Sequence, residues 1–361
     1  TAPTDFSEVT HPHAPPDPSP HDRDFLRVFF GSVAALLALV AALVVLTDPL
    51  GRFGTGLVPP VVASDRDQKA VLYRARVPLP ESVVLGSSRS KTIAPACLAR
   101  LTGRPAFNFA VNGSGTEDLV AILGYLRAQP GSKLRTLFVG VDPEMLQGAG
   151  GVHRALEGSR FLAPYAPDGA TAKPSGSLGA DLFGWQAVSA ALRSIWSRLV
   201  SGGGLPEFAL EADGLQRYPR AEAALQLGAL EQHGAVIGSI PGILGRYEAF
   251  PALDSVRVGY LRRFASEAHN AGIDLVAFIP PVHPAFERAA SGTAWTPRTE
   301  ETVSLLRTLE QEQLLRYVEA RDLVAASPDT TQFVDAIHFL APVAATLAER
   351  LTGSPGHCAL Q

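Results

Sequence analysis

Basic residues are too few and too scattered to build a charged face. Lys and Arg together number 31 against 35 Asp and Glu in 361 residues, a formal net charge of −4. The chain therefore lacks the basic surface that tracks nucleic-acid phosphates, and nucleic acid is set aside as a partner. Cysteine is almost missing. Cys97 and Cys358 are the only two, too few for a disulfide scaffold and without the C-x-x-C spacing of a metal or redox centre. In an oxidising compartment they can pair; a buried, free Cys97 is the other reading. No repeat of solenoid length recurs. His11 and His13 stand without a further spaced ligand, so no metal site is expected there.

Charge is also missing from Val28 to Leu46, VFFGSVAALLALVAALVVL. At 1.5 Å per residue this run is about 28 Å long, close to the ~30 Å hydrocarbon core of a bilayer. A cleavable signal would have a shorter apolar region followed by a small-residue cleavage site. We therefore read residues 25–47 as one retained transmembrane helix. A buried helix of a soluble protein would show a polar stripe, and none is present. Arg23 and Arg27 precede the run, which puts the N-terminus in the cytoplasm and everything after Asp48 outside it. Residues 1–24 are rich in Pro and His and too poor in apolar side chains to order themselves. With nearly half its residues hydrophobic (46%), the rest of the chain can bury a large core. One domain plus an anchor is expected: a linker over 48–76, the domain over 77–353 and a short tail over 354–361.

The domain opens in a βα rhythm. Val83 to Leu85 reads as a strand, Gly86-Ser87-Ser88-Arg89 as a tight turn, and Pro95 to Arg100 as a helix stopped by Gly103. A serine at such a turn stands at the carboxyl end of a strand and near a helix N-terminus, where free N–H groups favour negative charge. Ser88 is the candidate nucleophile; the plain alternative is that Ser87 and Ser88 only satisfy the turn. Phe107 to Val111 is the second strand and contains the start of Asn108-x-x-x-Asn112-Gly113. Ser114 and Glu117 have capping-box spacing ahead of a helix that Pro130-Gly131 ends. Leu137 to Val141 is the third strand, running into Asp142-Pro143-Glu144.

Residues 147–251 break the rhythm and read as a cap over the sheet edge. Within it Trp185, Val188, Leu192, Ile195, Trp196 and Leu199 recur at helical spacing. That helix packs on its own domain, or lies on the bilayer or a partner. Beyond it come a helix from Asp254 to Asn270, a fourth strand from Leu275 to Ile279, the Pro280-Pro281-Val282-His283-Pro284 turn, a helix from Arg298 to Ala320 and a last strand at Asp322 to Ala325. Asp335-x-x-His338 lies before a final helix, Pro342 to Leu351. This spacing lets one loop present a carboxylate and an imidazole together, the first orienting the second as a base for a serine.

Taken together, G-S-S-R after the first strand, N-x-x-x-N-G after the second and D-x-x-H near the end resemble the SGNH (GDSL-type) hydrolase family, in particular its membrane-anchored bacterial members with one N-terminal span. The resemblance covers roughly Asp48 to Leu351. It implies a three-layer α/β sandwich around a mostly parallel, flavodoxin-like sheet. It also implies a serine esterase or acyltransferase acting on acyl groups of extracytoplasmic glycans or lipids, with Ser88 acylated, His338 as base, Asp335 orienting it and no cofactor. By the same resemblance Gly113 lends its N–H to the oxyanion; the plain alternative is a turn glycine. Arg89, Asn112, Asp142 and His283 are the candidate pocket residues, the alternative for His283 being a rigid Pro-rich turn that points it to solvent. The sequence departs from the family at Asp142, where the third block has an Asn that donates to the oxyanion; an ionised carboxylate only accepts. The second reading is an SGNH frame without chemistry, a subunit of a membrane complex whose partner meets the tail, the span and the Trp185 to Trp196 helix.

Overall fold

A computed structural model of the chain describes residues 20–48, 55, 65–148, 154–167, 178–200, 208–226, 231–248, 250–324, 332–354 and 358. Most of the N-terminal tail, most of residues 49–64 and most of the C-terminal tail lie outside the described residues.

The chain runs α1 (Pro20–Thr47), α2 (Asp65–Arg74), β1 (Ser82–Leu85), α3 (Pro95–Thr102), β2 (Ala106–Asn108), α4 (Thr116–Ala128) and β3 (Thr136–Gly140). Short elements follow: α5 (Arg154–Glu157), α6 (Leu178–Phe183), α7 (Trp185–Val200), the hairpin of β4 (Ala209–Leu210) and β5 (Gln216–Arg217), α8 (Pro219–Gln226) and α9 (Glu231–Leu244). The sheet pattern resumes with α10 (Ser255–Asn270), β6 (Asp274–Phe278), α11 (Pro284–Ala290), α12 (Trp295–Gln311), β7 (Arg316–Val318) and α13 (Ala341–Thr352).

Five strands form one parallel sheet in the order β2-β1-β3-β6-β7. Every residue of β1 and β3 is buried, as expected for strands covered on both faces. Side chains alternate between two cores. Val83, Leu85, Leu137 and Val139 pack with Leu119 to Leu123 of α4 and with Leu261 and Phe264 of α10. Val84, Phe138, Val276 and Phe278 pack with Leu98 of α3 and with Val343 and Leu347 of α13. The result is the α/β architecture read from the sequence, in three layers. The chain leaves β1 for β2 on one side and returns to β3 on the other, so the carboxyl ends of β1 and β3 form the switch point at which open α/β sheets place their sites.

Four local readings change. The linker ends before α2, because Asp65–Arg74 is a buried helix of the globular body. Its polar sequence, DRDQK, looks solvated, but its charges find partners inside: Asp65 lies 2.7 Å from Lys91 and Arg66 2.7 Å from Asp118. The last strand is Arg316–Val318, and Arg321–Leu323 is a 3-10 turn. The helix before it stops at Gln311 and Gln313 takes φ 62°, a left-handed stop without the glycine that usually marks one. The capping box of α4 is built differently, with Asp118 accepting from Gly115 N at 2.9 Å, while Glu117 pairs with Arg257 at 3.0 Å. Of the two readings of the cysteines, the disulfide is present: Cys97 in α3 is bonded to Cys358, with Cα atoms 5.5 Å apart.

The segment from Arg23 to Thr47 is long and apolar enough to cross a membrane, with a mean hydropathy of 2.8 over its best window. Only its last turns are covered, where Val44 and Thr47 are buried and α6 and α7 pack on it.

Candidate active site

β1 delivers the chain into a turn that only glycine permits at its first position. Gly86 has φ +134°, and a Cβ there would stand 2.6 Å from Ser90 Oγ and 2.8 Å from Gly140 O. Ser87 Oγ then accepts from Arg89 N at 3.2 Å and starts a 3-10 turn, Ser88–Ser90. The helix expected beside Ser88 begins only at Pro95, so the serine stands on this short turn and not at an α-helix N-terminus. Asn108, at the end of β2, holds the turn from below. Its Nδ2 donates to Ser90 O at 2.9 Å, Lys91 O at 3.2 Å and Ile93 O at 2.9 Å, and its Oδ1 accepts from Ala110 N and Lys69 Nζ.

At the far end of the chain, residues 332–340 fold back on themselves. Val334 N donates to His338 O and Leu340 N to Gln332 O, both at 2.8 Å, with Phe333 and Phe339 buried beneath. Asp335 divides its two oxygens. Oδ1 accepts from Ile337 N and His338 N, each at 2.9 Å; Oδ2 lies 2.7 Å from His338 Nδ1. Burial raises the Asp335 carboxyl, but the His338 hydrogen bond, the His338 charge and the two backbone N–H groups outweigh it and hold it below the usual range. An ionised Asp335 can only accept, so in the neutral ring Nδ1 carries the proton and Nε2 is left as the acceptor. Nε2 lies 2.8 Å from Ser88 Oγ. Ser88, His338 and Asp335 thus form one hydrogen-bonded chain, and Ser88 is partly exposed.

Gly113 and Asn112 form the exposed rim beyond β2. Gly113 sits at φ +57° with nothing within 4 Å of a Cβ position. Among the described residues, the backbone N–H groups of Ser88 and Gly113 meet no acceptor. The loop is pinned from inside: Asn112 N donates to Asp65 Oδ2 at 2.5 Å, and Asn112 Oδ1 accepts from Lys91 Nζ at 2.7 Å. Burial alone would raise the Asp65 carboxyl, but Lys91 and Arg66 pull it down below its ordinary range. The roles of Asp65, Lys69 and Lys91 were not visible in sequence. Asp65 and Lys69 fall in the stretch read as a linker and Lys91 in the turn after Ser88, and nothing local says that they are buried.

Three of the candidate pocket residues face inward. Arg89 and Asp142 are 3% and 2% exposed and lie 2.9 Å apart; the guanidinium also donates to Pro280 O at 2.6 Å and forms a longer ion pair with Glu144 at 3.7 Å. Burial raises the Asp142 carboxyl to about 6, against the pull of Arg89. His283 is fully buried. Its Nδ1 accepts from Ala285 N at 3.0 Å, capping α11, and its backbone N donates to Ala336 O at 3.0 Å, bracing the loop of Asp335 and His338. Helix capping between two prolines takes the ring out of any open pocket. Asn112 alone of the four reaches the surface.

No group of three or more His, Cys, Asp or Glu suited to a metal occurs among the described residues. The fold and the site together define an α/β protein with a hydrogen-bonded chain of Ser88, His338 and Asp335 at the carboxyl edge of its sheet. Neither a protein-family model nor a curated protein matches the chain in sequence.

Proposed function

We propose that the protein is a membrane-anchored, extracytoplasmic serine esterase or acyltransferase of the SGNH type, acting on acyl groups of surface glycans or lipids. The observation that carries this reading is the 2.8 Å contact between Ser88 Oγ and His338 Nε2, backed by Asp335 at 2.7 Å. In such a relay Nε2 takes the hydroxyl proton as Oγ attacks an acyl carbonyl, and Asp335 stabilises the imidazolium that forms. The ring then gives the proton to the leaving alkoxide. Water, or a sugar hydroxyl, repeats the sequence in reverse and frees the serine. The N–H groups of Ser88 and Gly113 supply the donors for the oxyanion. The disulfide suits an oxidising compartment, in keeping with a domain held outside the cytoplasm by α1.

The test is hydrolysis of an aryl acetate by the full chain in detergent, compared with Ser88→Ala. The serine variant is expected to fold normally and to fall to the rate of its buffer; equal rates remove the proposal. One observation favours the second reading, a subunit without chemistry: Asp142 faces Arg89 and offers the oxyanion no side-chain donor. A wild-type chain that is inactive on acyl substrates, yet copurifies with a membrane protein whether or not Ser88 is present, would establish that reading instead.

A further inference from the structure

Helix α7 has two faces of opposite character. Ala187, Ala190, Ala191 and Ser194 are buried, and the alanines pack on Leu43 and Val44 near the end of α1. On the other face Trp185, Leu192 and Trp196 are 82%, 53% and 69% exposed. At 3.6 residues per turn the three fall within roughly 40° of one another, about half a turn from the alanine face. Two of the three tryptophans in the chain stand here; the third, Trp295, is buried against Phe286.

From this arrangement we infer that α7 is a second membrane contact, lying in the headgroup region of the bilayer with Trp185, Leu192 and Trp196 among lipid. The inference rests on α1 crossing that bilayer. Its depth follows from continuity with α1: the alanine face grips the last turns of the apolar run, Val44 among them, so α7 is held where the span leaves the hydrocarbon. Small side chains allow that close approach, and they leave the bulky apolar face turned away from α1. Tryptophan favours this depth because its ring is apolar and its N–H is not. Arg193, exposed beside the stripe, fits the phosphate level. Such a contact would fix the orientation of the globular domain over the membrane and hold the Ser88 edge at a set height above the acyl groups it would meet.

Tryptophan quenching in the full chain reconstituted into phosphatidylcholine nanodiscs tests this. Trp185→Phe and Trp196→Phe isolate each ring after subtraction of the double variant, which retains only Trp295. A nitroxide at acyl carbon 5 is expected to reduce each isolated signal about twofold and one at carbon 12 less, with aqueous iodide having little effect, as interfacial rings behave. Quenching by iodide and not by the lipid nitroxides overturns the inference. Protection from both quenchers also overturns it, because protein and not lipid then covers the face. Leu36→Trp in the double-variant background reports on α1 separately. If that ring escapes the carbon-12 nitroxide, the span itself falls and takes the inference with it; if it is quenched while Trp185 and Trp196 answer only to iodide, the span stands and the contact of α7 does not.

Discussion

Asn108 is bonded to Ser90, two residues beyond the candidate nucleophile, through an Nδ2 to carbonyl contact of 2.9 Å. The same amide serves Lys91 and Ile93, so two N–H bonds are shared among three buried carbonyls. A single side chain on one strand therefore fixes the turn at the end of its neighbour.

Asn108→Ala strips Ile93 O, Ala110 N and Lys69 Nζ of their Asn108 bonds, while Ser90 O keeps Ile93 N and Lys91 O keeps Gln216 N. Each buried polar group stripped in this way costs roughly 1–3 kcal/mol, and a total loss of about 3–5 kcal/mol is expected in urea unfolding. A loss below about 1 kcal/mol would show that the turn holds itself.

Gly86 and Gly113 both adopt positive φ, but only Gly86 is enclosed. Gly86→Ala should cost about 1–3 kcal/mol in backbone strain plus the clash with Ser90 and Gly140. Gly113→Ala meets open space, pays about 1–2 kcal/mol for the left-handed conformation and keeps its N–H. The ordering of the two in denaturant unfolding checks this, and a Gly113 variant that is the less stable would contradict it.

Asp335→Asn keeps the shape of the carboxylate but brings an amide that can donate to His338 Nδ1 and reverse the tautomer. If the site is hydrolytic, kcat should fall by roughly 10²–10⁴ with KM little changed. Steady-state kinetics on an aryl ester gives the answer.

Asp142 supplies a pH signature. Its folded carboxyl is raised to about 6 from an ordinary 3.8, burial being the main cause. The folded state thus holds this proton more tightly than the unfolded state does. The associated stability is fully present below pH 3.8 and is lost as pH rises through about 6, since stability falls with pH wherever the folded state binds more protons. Melting temperatures of wild type and Asp142→Asn across that window check the sign: the variant should show the flatter profile. Parallel profiles would mean that the Arg89 charge keeps Asp142 ionised throughout.

How much was legible followed the range of the interactions. Asp335 and His338 were readable as a pair because three residues separate them and the loop closes through its own backbone. The strands of the sheet centre were readable because burial on both faces demands unbroken apolar runs, as in Val83 to Leu85 and Leu137 to Val139. The edge strand at Arg316 was hidden by a helix stop at Gln313 that carries no glycine. α2 was hidden because Asp65, Arg66 and Lys69 carry the composition of a solvated linker and are made internal only by partners far along the chain.

The amino-acid order alone settled the apolar helix, the βα alternation and the chemical types at the ends of the strands, since those depend on periodicity and on turns of a few residues. Only the folded chain decided that Ser88 and His338, 250 positions apart, meet at one edge. It alone decided too that Arg89, Asp142 and His283 turn inward. The cause in both cases is the same: sheet order and burial are set by the packing of whole layers, and no local pattern encodes which distant charge or ring will be waiting there.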